Sequence, residues 1–182
     1  SLCDAIDIKV FLDTDEDLRR IFKVHRDTTE RGYDSDVVTA QIDQRTGDSA
    51  KHVRPQLHRA DIVFSMELET LQQVLNYTNT PPLKLSVKVR NALHHIDLAK
   101  TVVSLCNADV DIGAPADNES ITITYWDRGI TPDDITAIAS HLVPHLDQLL
   151  PPTPTWQGGT LGIMQFVILV EFAYSVGHRR RQ

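Results

Sequence analysis

Apolar runs and helical stripes alternate along the first third of the chain. The run IDIKVFL is short and β-branched between acidic residues, which predicts a buried strand, and Leu18, Ile21 and Phe22 have the spacing of one helix face. The first predicted elements are a strand over residues 6–12 and a helix over residues 15–31, for which Asp13-Thr14-Asp15 offers capping oxygens and which ends at Gly32. A second helix is predicted from the Asp34-Ser35-Asp36 cap to about residue 44. A loop around Gly47, a turn near Pro55 and a strand over residues 60–66 follow. This β-α-α-β order indicates α/β layers.

The pair Pro81-Pro82 marks a predicted boundary, so that residues 1–80 and residues 81–182 form two regions. The second region has a mixed pattern and is predicted to be a small α+β unit. Its predicted elements are strands over residues 83–89 and 120–126, a helix over residues 91–106, a helix over residues 133–150 that Pro144 kinks or splits, and a helix over residues 160–174.

Charge and cysteine content narrow the function classes. A net charge of −7 argues against nucleic acid and anionic membrane as partners. The two cysteines, Cys3 and Cys106, are too few for a disulfide framework, so we expect a cytoplasmic protein with reduced thiols. The apolar stretch over residues 163–170 is expected to be too short to span a bilayer. The start in mid-strand, without Met or a basic leader, suggests that the chain begins inside a longer protein.

The most informative motif is RDTTERG, which carries Arg26, Asp27 and Arg31 close to the predicted end of a helix. The two arginines are five residues apart, about 500° around a helix, and share a face only if the helix ends or bends between them. Two guanidiniums beside a mobile turn suit a polyphosphate. A surface salt bridge between Asp27 and Arg31, four residues apart, is the alternative.

A resemblance bears on this choice. The stretch IKVFLDTDEDLRR followed by KVHRDTTERGYD, and then RTGDSAKHVRPQLHRADIVF, resembles the C-terminal half of the kinase core in the phosphoribulokinase and uridine kinase family. The last segment matches phosphoribulokinases better, at Arg45, Asp48, Pro55-Gln56 and Ala60-Asp61. The segments DDITAIASHL and GGTLGIMQFVILVEF are more faintly similar to the C-terminal region of plant and cyanobacterial phosphoribulokinases.

The resemblance implies a P-loop kinase with a mainly parallel sheet, which transfers the ATP γ-phosphoryl group to a sugar or nucleoside hydroxyl with Mg²⁺. Arg26 and Arg31 match the family's lid arginines, whose implied role is to contact ATP phosphates, and Lys23 occupies a position that is often basic. The family's catalytic aspartate lies upstream of the matching region, so no catalytic residue is assigned within this chain. ATP and Mg²⁺ are expected as cofactors of the complete kinase, and none is expected on this chain alone.

The sequence departs from the family in two features: the phosphate-binding glycine loop is absent, and the phosphoribulokinase stretch between the core and the C-terminal strands is much reduced. No GxxxxGK[ST] loop is present, since the paired glycines Gly158-Gly159 have no following Lys and are expected to be a tight entry to the last helix. Two hypotheses remain: part of a kinase that is inactive alone, or a non-catalytic relative kept for binding or for homo-oligomerisation, whose cut core would expose sheet edges.

Other candidate sites are weaker. No metal site is predicted, because the possible ligand groups lack proper spacing: His94-His95 with Asp97, and His141 with His145 and Asp147. Asp109, Asp111, Asp117 and Glu119 are expected to form a solvated acidic turn, and Arg179 to Arg181 a solvated tail.

Overall fold

The computed structural model describes residues 6–68, 83–90, 110–113, 120–126, 129–143, 146–150 and 154–179. Its strands are β1 (Val10–Thr14), β2 (Ile62–Leu68), β3 (Leu83–Arg90), β4 (Val110–Gly113) and β5 (Ser120–Trp126). Its α-helices are α1 (Glu16–Thr29), α2 (Ser35–Asp48), α3 (Pro132–Leu142), α4 (Leu146–Leu149) and α5 (Gly159–Arg179). A π-helical turn (Ser49–Val53) and a 3₁₀ turn (Arg54–Arg59) connect α2 to β2.

The five strands form one mixed sheet in the order β1-β2-β3-β5-β4. Only β1 and β2 are parallel, as the intervening helices α1 and α2 allow, and the other neighbours are antiparallel. The mixed α/β fold predicted from the sequence is confirmed. Pairing of β2 with β3 carries the sheet across the predicted boundary at Pro81-Pro82, and the division into two regions stays a prediction.

One face of the sheet carries the main core. Ile62, Phe64, Leu85, Val87 and Ile123 are buried there against the apolar sides of α3 and α5. The strands β3 and β5 alternate buried and more exposed positions, which is the pattern of a sheet with one packed face. Leu18 of α1 and Val38 and Ile42 of α2 are buried outside this main cluster.

Glycines set the close approach of α5 to α3. Gly159 has a φ of +63° and its N–H donates to the Ile130 carbonyl over 2.8 Å, while a Cβ on Gly158 would lie 2.9 Å from the same oxygen. A Cβ on Gly162 would lie 2.9 Å from the Ile135 side chain. The expectation that Gly158-Gly159 is a tight helix entry is confirmed.

Several predicted bounds were wrong. The first strand begins at Val10 rather than residue 6, and Gly47 lies inside α2 rather than in a loop. Asp111 lies in β4, which pairs with β5, so the predicted acidic turn is partly a strand. Arg179 is the last residue of α5 rather than the start of a tail. The break around Pro144 is confirmed, since α3 ends at Leu142 and α4 begins at Leu146.

The last helix is longer than predicted, and the argument that its apolar stretch is too short to cross a membrane was wrong. Residues Gly159–Val176 have a mean hydropathy of 1.5 and are long and apolar enough for a span by length and composition. Ile163, Phe166, Val167 and Leu169 of this helix lie in the core against the sheet, whereas only 28% of the span from Gly159 to Val176 is buried. The absence of a membrane partner stays a prediction.

Candidate functional site

The helix α1 starts at the carboxyl end of the parallel strand pair. Asp15 caps it by accepting the backbone N–H groups of Asp17 and Leu18 over 3.0 and 3.2 Å, and its own N–H donates to the Met66 carbonyl at the end of β2 over 3.1 Å. This capping was anticipated from the Asp-Thr-Asp turn. The bond to Met66 fixes the start of α1 at the edge of the sheet where α/β proteins bind ligands.

A second set of charged side chains lies at this same edge, and sequence reasoning missed it. Arg54 approaches Asp13 with an N–O distance of 3.5 Å, and Glu16 pairs with Arg19 one turn into α1. These four residues, together with Thr14, line a small cavity of about 50 Å³. The signal available in the sequence was the acidic turn after a strand, but the approach of Arg54 depends on the 3₁₀ turn more than forty residues downstream.

The predicted arginine pair comes together at the other end of α1. The helix ends at Thr29, before Arg31, and Gly32 has a φ of +69°. The two arginines meet through Asp27, which directly follows Arg26 and lies four residues before Arg31, the spacing at which side chains on one helix face are neighbours. Arg26 donates its Nε–H to Asp27 Oδ1 over 2.9 Å, and Arg31 Nη1 lies 3.2 Å from the same oxygen.

Asp27 is the one buried charged residue in the part of the chain that the structure describes. The hydrogen bond from Arg26 holds the pKa of Asp27 below its ordinary value of 3.8; burial opposes this, and the charges of Arg26, Arg31 and Lys23 add to it. The same hydrogen bond raises the pKa of Arg26. Asp27 is therefore ionised at neutral pH. The group of Lys23, Arg26, Arg31 and Asp27 carries two net positive charges, and one when Glu30, whose charge also acts on Arg26, is counted.

The expected salt bridge between Asp27 and Arg31 exists, but its carboxylate is buried rather than on the surface. The arginine side chains remain about half exposed, at 47% for Arg26 and 54% for Arg31, against 7% for Asp27. Each guanidinium thus keeps donors facing solvent while one nitrogen contacts the carboxylate. The arrangement can bind an anion with several oxygens, such as a polyphosphate.

The two charged groups lie far apart along α1. Eleven residues separate Asp15 from Arg26, so the arginine pair lies about 16 Å along the helix axis from the carboxyl edge of the sheet. In this structure the arginine pair and the cavity at Asp13 are separate sites on one helix.

The remaining candidates are placed as follows. Outside the described residues lie most of the candidate metal ligands and both cysteines: His94, His95, Asp97, Asp109, Asp117, Glu119, His145, Cys3 and Cys106. His141 is exposed at the end of α3, and no group of three or more candidate metal ligands occurs within the described ranges.

These features define a mixed α/β protein with a cationic helix end suited to anions. Residues 1–72 match the model of the Phosphoribulokinase / Uridine kinase family. The match covers the first part of the chain, and the faint similarity of the later segments stays a prediction.

Individual kinases of this family are similar to the same segment of the chain. The segment is similar to a phosphoribulokinase of Synechocystis sp., at 32% identity over 35% of the chain and 19% of the relative. It is also similar to a uridine kinase of Lactococcus lactis, at 38% identity over 35% of the chain and 31% of the relative. A third relative is uridine-cytidine kinase-like 1 of Mus musculus, at 34% identity over 35% of the chain and 12% of the relative. The chain thus spans less than a third of the length of each of these relatives. Because relatives of both kinds match, a closer kinship with phosphoribulokinases stays a prediction.

Proposed function

We propose that this chain is part of an ATP-dependent kinase that phosphorylates a sugar or nucleoside hydroxyl. Its segment over residues 1–72 supplies a cationic lid for the nucleotide phosphates. The observation that carries the proposal is the convergence of Arg26 and Arg31 on one buried carboxylate, with their outer donors exposed, in a segment that matches the model of a kinase family. Lys23, one turn before Asp27, adds a third positive charge to the lid.

The chemistry of phosphoryl transfer indicates which functions this chain can supply and which the rest of the kinase must supply. Phosphoryl transfer needs donors that neutralise the charge on the transferred group, and it also needs a loop that cradles the phosphates, bound Mg²⁺ and a base. The chain offers the first of these and contains no GxxxxGK[ST] sequence. We therefore propose that ATP and Mg²⁺ act in the complete kinase, and that this chain alone is inactive. A cytoplasmic location suits the two cysteines and the net charge of −7, with no nucleic-acid or membrane partner.

Two measurements test this proposal. The chain alone is expected to release no ADP from ATP with ribulose 5-phosphate or uridine as acceptor, and to bind inorganic triphosphate at low salt in a manner that Arg26→Ala and Arg31→Ala both weaken. Turnover by the chain alone would contradict the assigned inactivity. Triphosphate binding that neither substitution changes would contradict the lid.

A second candidate function, as a binding or homo-oligomerisation module, rests on the edge of the sheet. Among the described residues β1 pairs only with β2, so its other edge offers free backbone N–H and C=O groups. Val10 and Leu12 pair in register with the core residues Ile62 and Phe64, yet they are 45% and 51% exposed.

Size-exclusion chromatography over a range of concentrations separates the two functions. Self-association through β1 is expected to fall in Leu12→Lys and to persist in Val37→Lys, which alters a side chain on α2 that is also 51% exposed. A monomer at all concentrations would contradict the oligomerisation function and leave the kinase proposal standing.

A further inference from the structure

A single oxygen atom joins the two arginines of the lid. Asp27 Oδ1 lies 2.9 Å from Arg26 Nε and 3.2 Å from Arg31 Nη1. A carboxylate with only 7% of its side chain exposed needs charged partners or hydrogen bonds to compensate for its lost hydration. The two guanidiniums are those partners, so the position of each one is tied to the same buried point.

The contact leaves the recognition groups of both arginines available. Arg26 uses its Nε–H, which is the donor nearest its stem, and both of its terminal nitrogens stay unengaged by Asp27. Arg31 engages one terminal nitrogen. Long side chains that are half exposed would otherwise sample many rotamers, and that freedom is lost when they bind a ligand.

The backbone of Asp27 restrains the same turn. Its carbonyl accepts the N–H of Tyr33 over 2.9 Å, which closes the chain back over Arg31 and Gly32. The turn needs the positive φ of Gly32, +69°, a conformation that glycine adopts readily. The side chain and the main chain of Asp27 thus both act on where Arg31 lies.

We propose that Asp27 is the positioning residue of the lid, which orders Arg26 and Arg31 before a polyphosphate arrives. This inference rests on the proposed function and adds to it a residue that need not touch the ligand. Asp27 acts through the two guanidiniums, and its value to binding is that the ordering of both side chains precedes the binding step.

Simple electrostatics predicts the opposite effect of removing this carboxylate. Replacing Asp27 by Asn raises the net charge of the site by one, which on charge alone favours a polyanion. Positioning predicts weaker binding in spite of that extra positive charge. The sign of the change in affinity therefore distinguishes a positioning residue from a negative charge that merely sits nearby.

The test compares two substitutions that each remove one carboxylate charge from an arginine ion pair on α1, with Asp27 7% exposed and Asp43 59% exposed. Asp27→Asn removes the partner of Arg26 and Arg31, whereas Asp43→Asn removes the partner of Arg20, an ion pair between α1 and α2 outside the lid. Calorimetric titration with inorganic triphosphate is expected to show binding about tenfold weaker for Asp27→Asn, the factor that ordering two guanidinium side chains costs. Asp43→Asn is expected to bind as well as the wild type.

A spectroscopic measurement reports on positioning without any ligand. In the ¹⁵N-labelled protein the Arg26 Nε–H is expected to give a distinct signal that is slow to exchange with water, to lose it in Asp27→Asn and to keep it in Asp43→Asn. Equal or tighter triphosphate binding by Asp27→Asn would overturn the inference, and so would a protected Nε–H signal that survives in that variant. Failure of the wild type to bind triphosphate would instead overturn the lid function, and the Nε–H signal would still decide whether Asp27 orders the arginines.

Discussion

Substituting Gly162 by Ala probes the contact that holds the last helix against the rest of the fold. An added Cβ would lie 2.2 Å from the Gln157 carbonyl oxygen and 2.9 Å from Ile135 Cγ1. Gln157 is itself held by Gln165, whose Oε1 accepts the Gln157 backbone N–H over 2.9 Å. The first contact is with backbone rather than with the end of a flexible side chain, so relief requires α5 or the segment before it to move by about 1 Å.

Helix propensity and overpacking have opposite effects on the free energy of unfolding of the Gly162→Ala protein. Alanine in a helix interior is favoured over glycine by about 1 kcal/mol, whereas overpacking of a close contact costs about 1–3 kcal/mol. With a backbone contact this short the cost lies at or above the upper end of that range, which leaves a net destabilisation of about 2 kcal/mol. For a chain of this size that corresponds to a fall in Tm of about 4–8 °C.

Urea unfolding followed by circular dichroism measures this difference. Leu161→Ala is the matched control, because Leu161 precedes Gly162 in the same helix but is 58% exposed, and its loss is expected to change the free energy of unfolding by less than about 0.5 kcal/mol. A Gly162→Ala protein with an unchanged or higher unfolding midpoint would refute the close packing of α5 on α3.

Three further predictions concern stability. Thr131→Ala removes the cap of α3, in which Thr131 accepts the Asp134 N–H and Asp134 accepts the Thr131 N–H, and it is expected to cost about 1 kcal/mol in urea unfolding. The pKa values of Asp27 and Asp134 lie below their ordinary value of 3.8, so both carboxylates stabilise the fold above that pH and lose this contribution as the pH falls below it. A variant with both residues changed to Asn lacks this pH dependence. When each stability curve is normalised to its value at neutral pH, the wild type is expected to begin acid unfolding at a higher pH than the variant. Phe166→Ala empties a fully buried position and is expected to cost about 3–5 kcal/mol in urea unfolding, and a cost below 1 kcal/mol would contradict its place in the core.

Local chemistry made part of this fold predictable. The bounds of β5 and the cap at Asp15 follow from alternation and from side-chain oxygens next to a helix start, and both lie where the sequence indicates. The helix break around Pro144 and the Gly158-Gly159 entry follow from backbone restrictions of proline and glycine. These signals are contained in a few neighbouring residues.

Features that depend on distant partners were not predictable in this way. The strand β4 has four residues, and its pairing with β5 supplies the hydrogen bonds that make it a strand. Charge spacing predicted the Asp27–Arg31 bridge but not the burial of Asp27, because burial depends on tertiary packing. The arrangement of Arg54 beside Asp13 likewise depends on tertiary structure.

The order of the strands in the sheet differs from their order in the sequence, which delays the pairing of β3 during synthesis. The strand β5 lies between β3 and β4 but is made after both of them, so during synthesis the edge of β3 stays unpaired until Trp126 has emerged, about 36 residues after Arg90. At ribosomal rates of about 5–20 residues per second this wait lasts roughly 2–7 s. Through that interval the backbone edge of β3 is open to other strands, and the apolar side chains of Leu85 and Val87 stay uncovered for longer, until α3 and α5 have been made, so the nascent chain is prone to aggregate before the last helix docks.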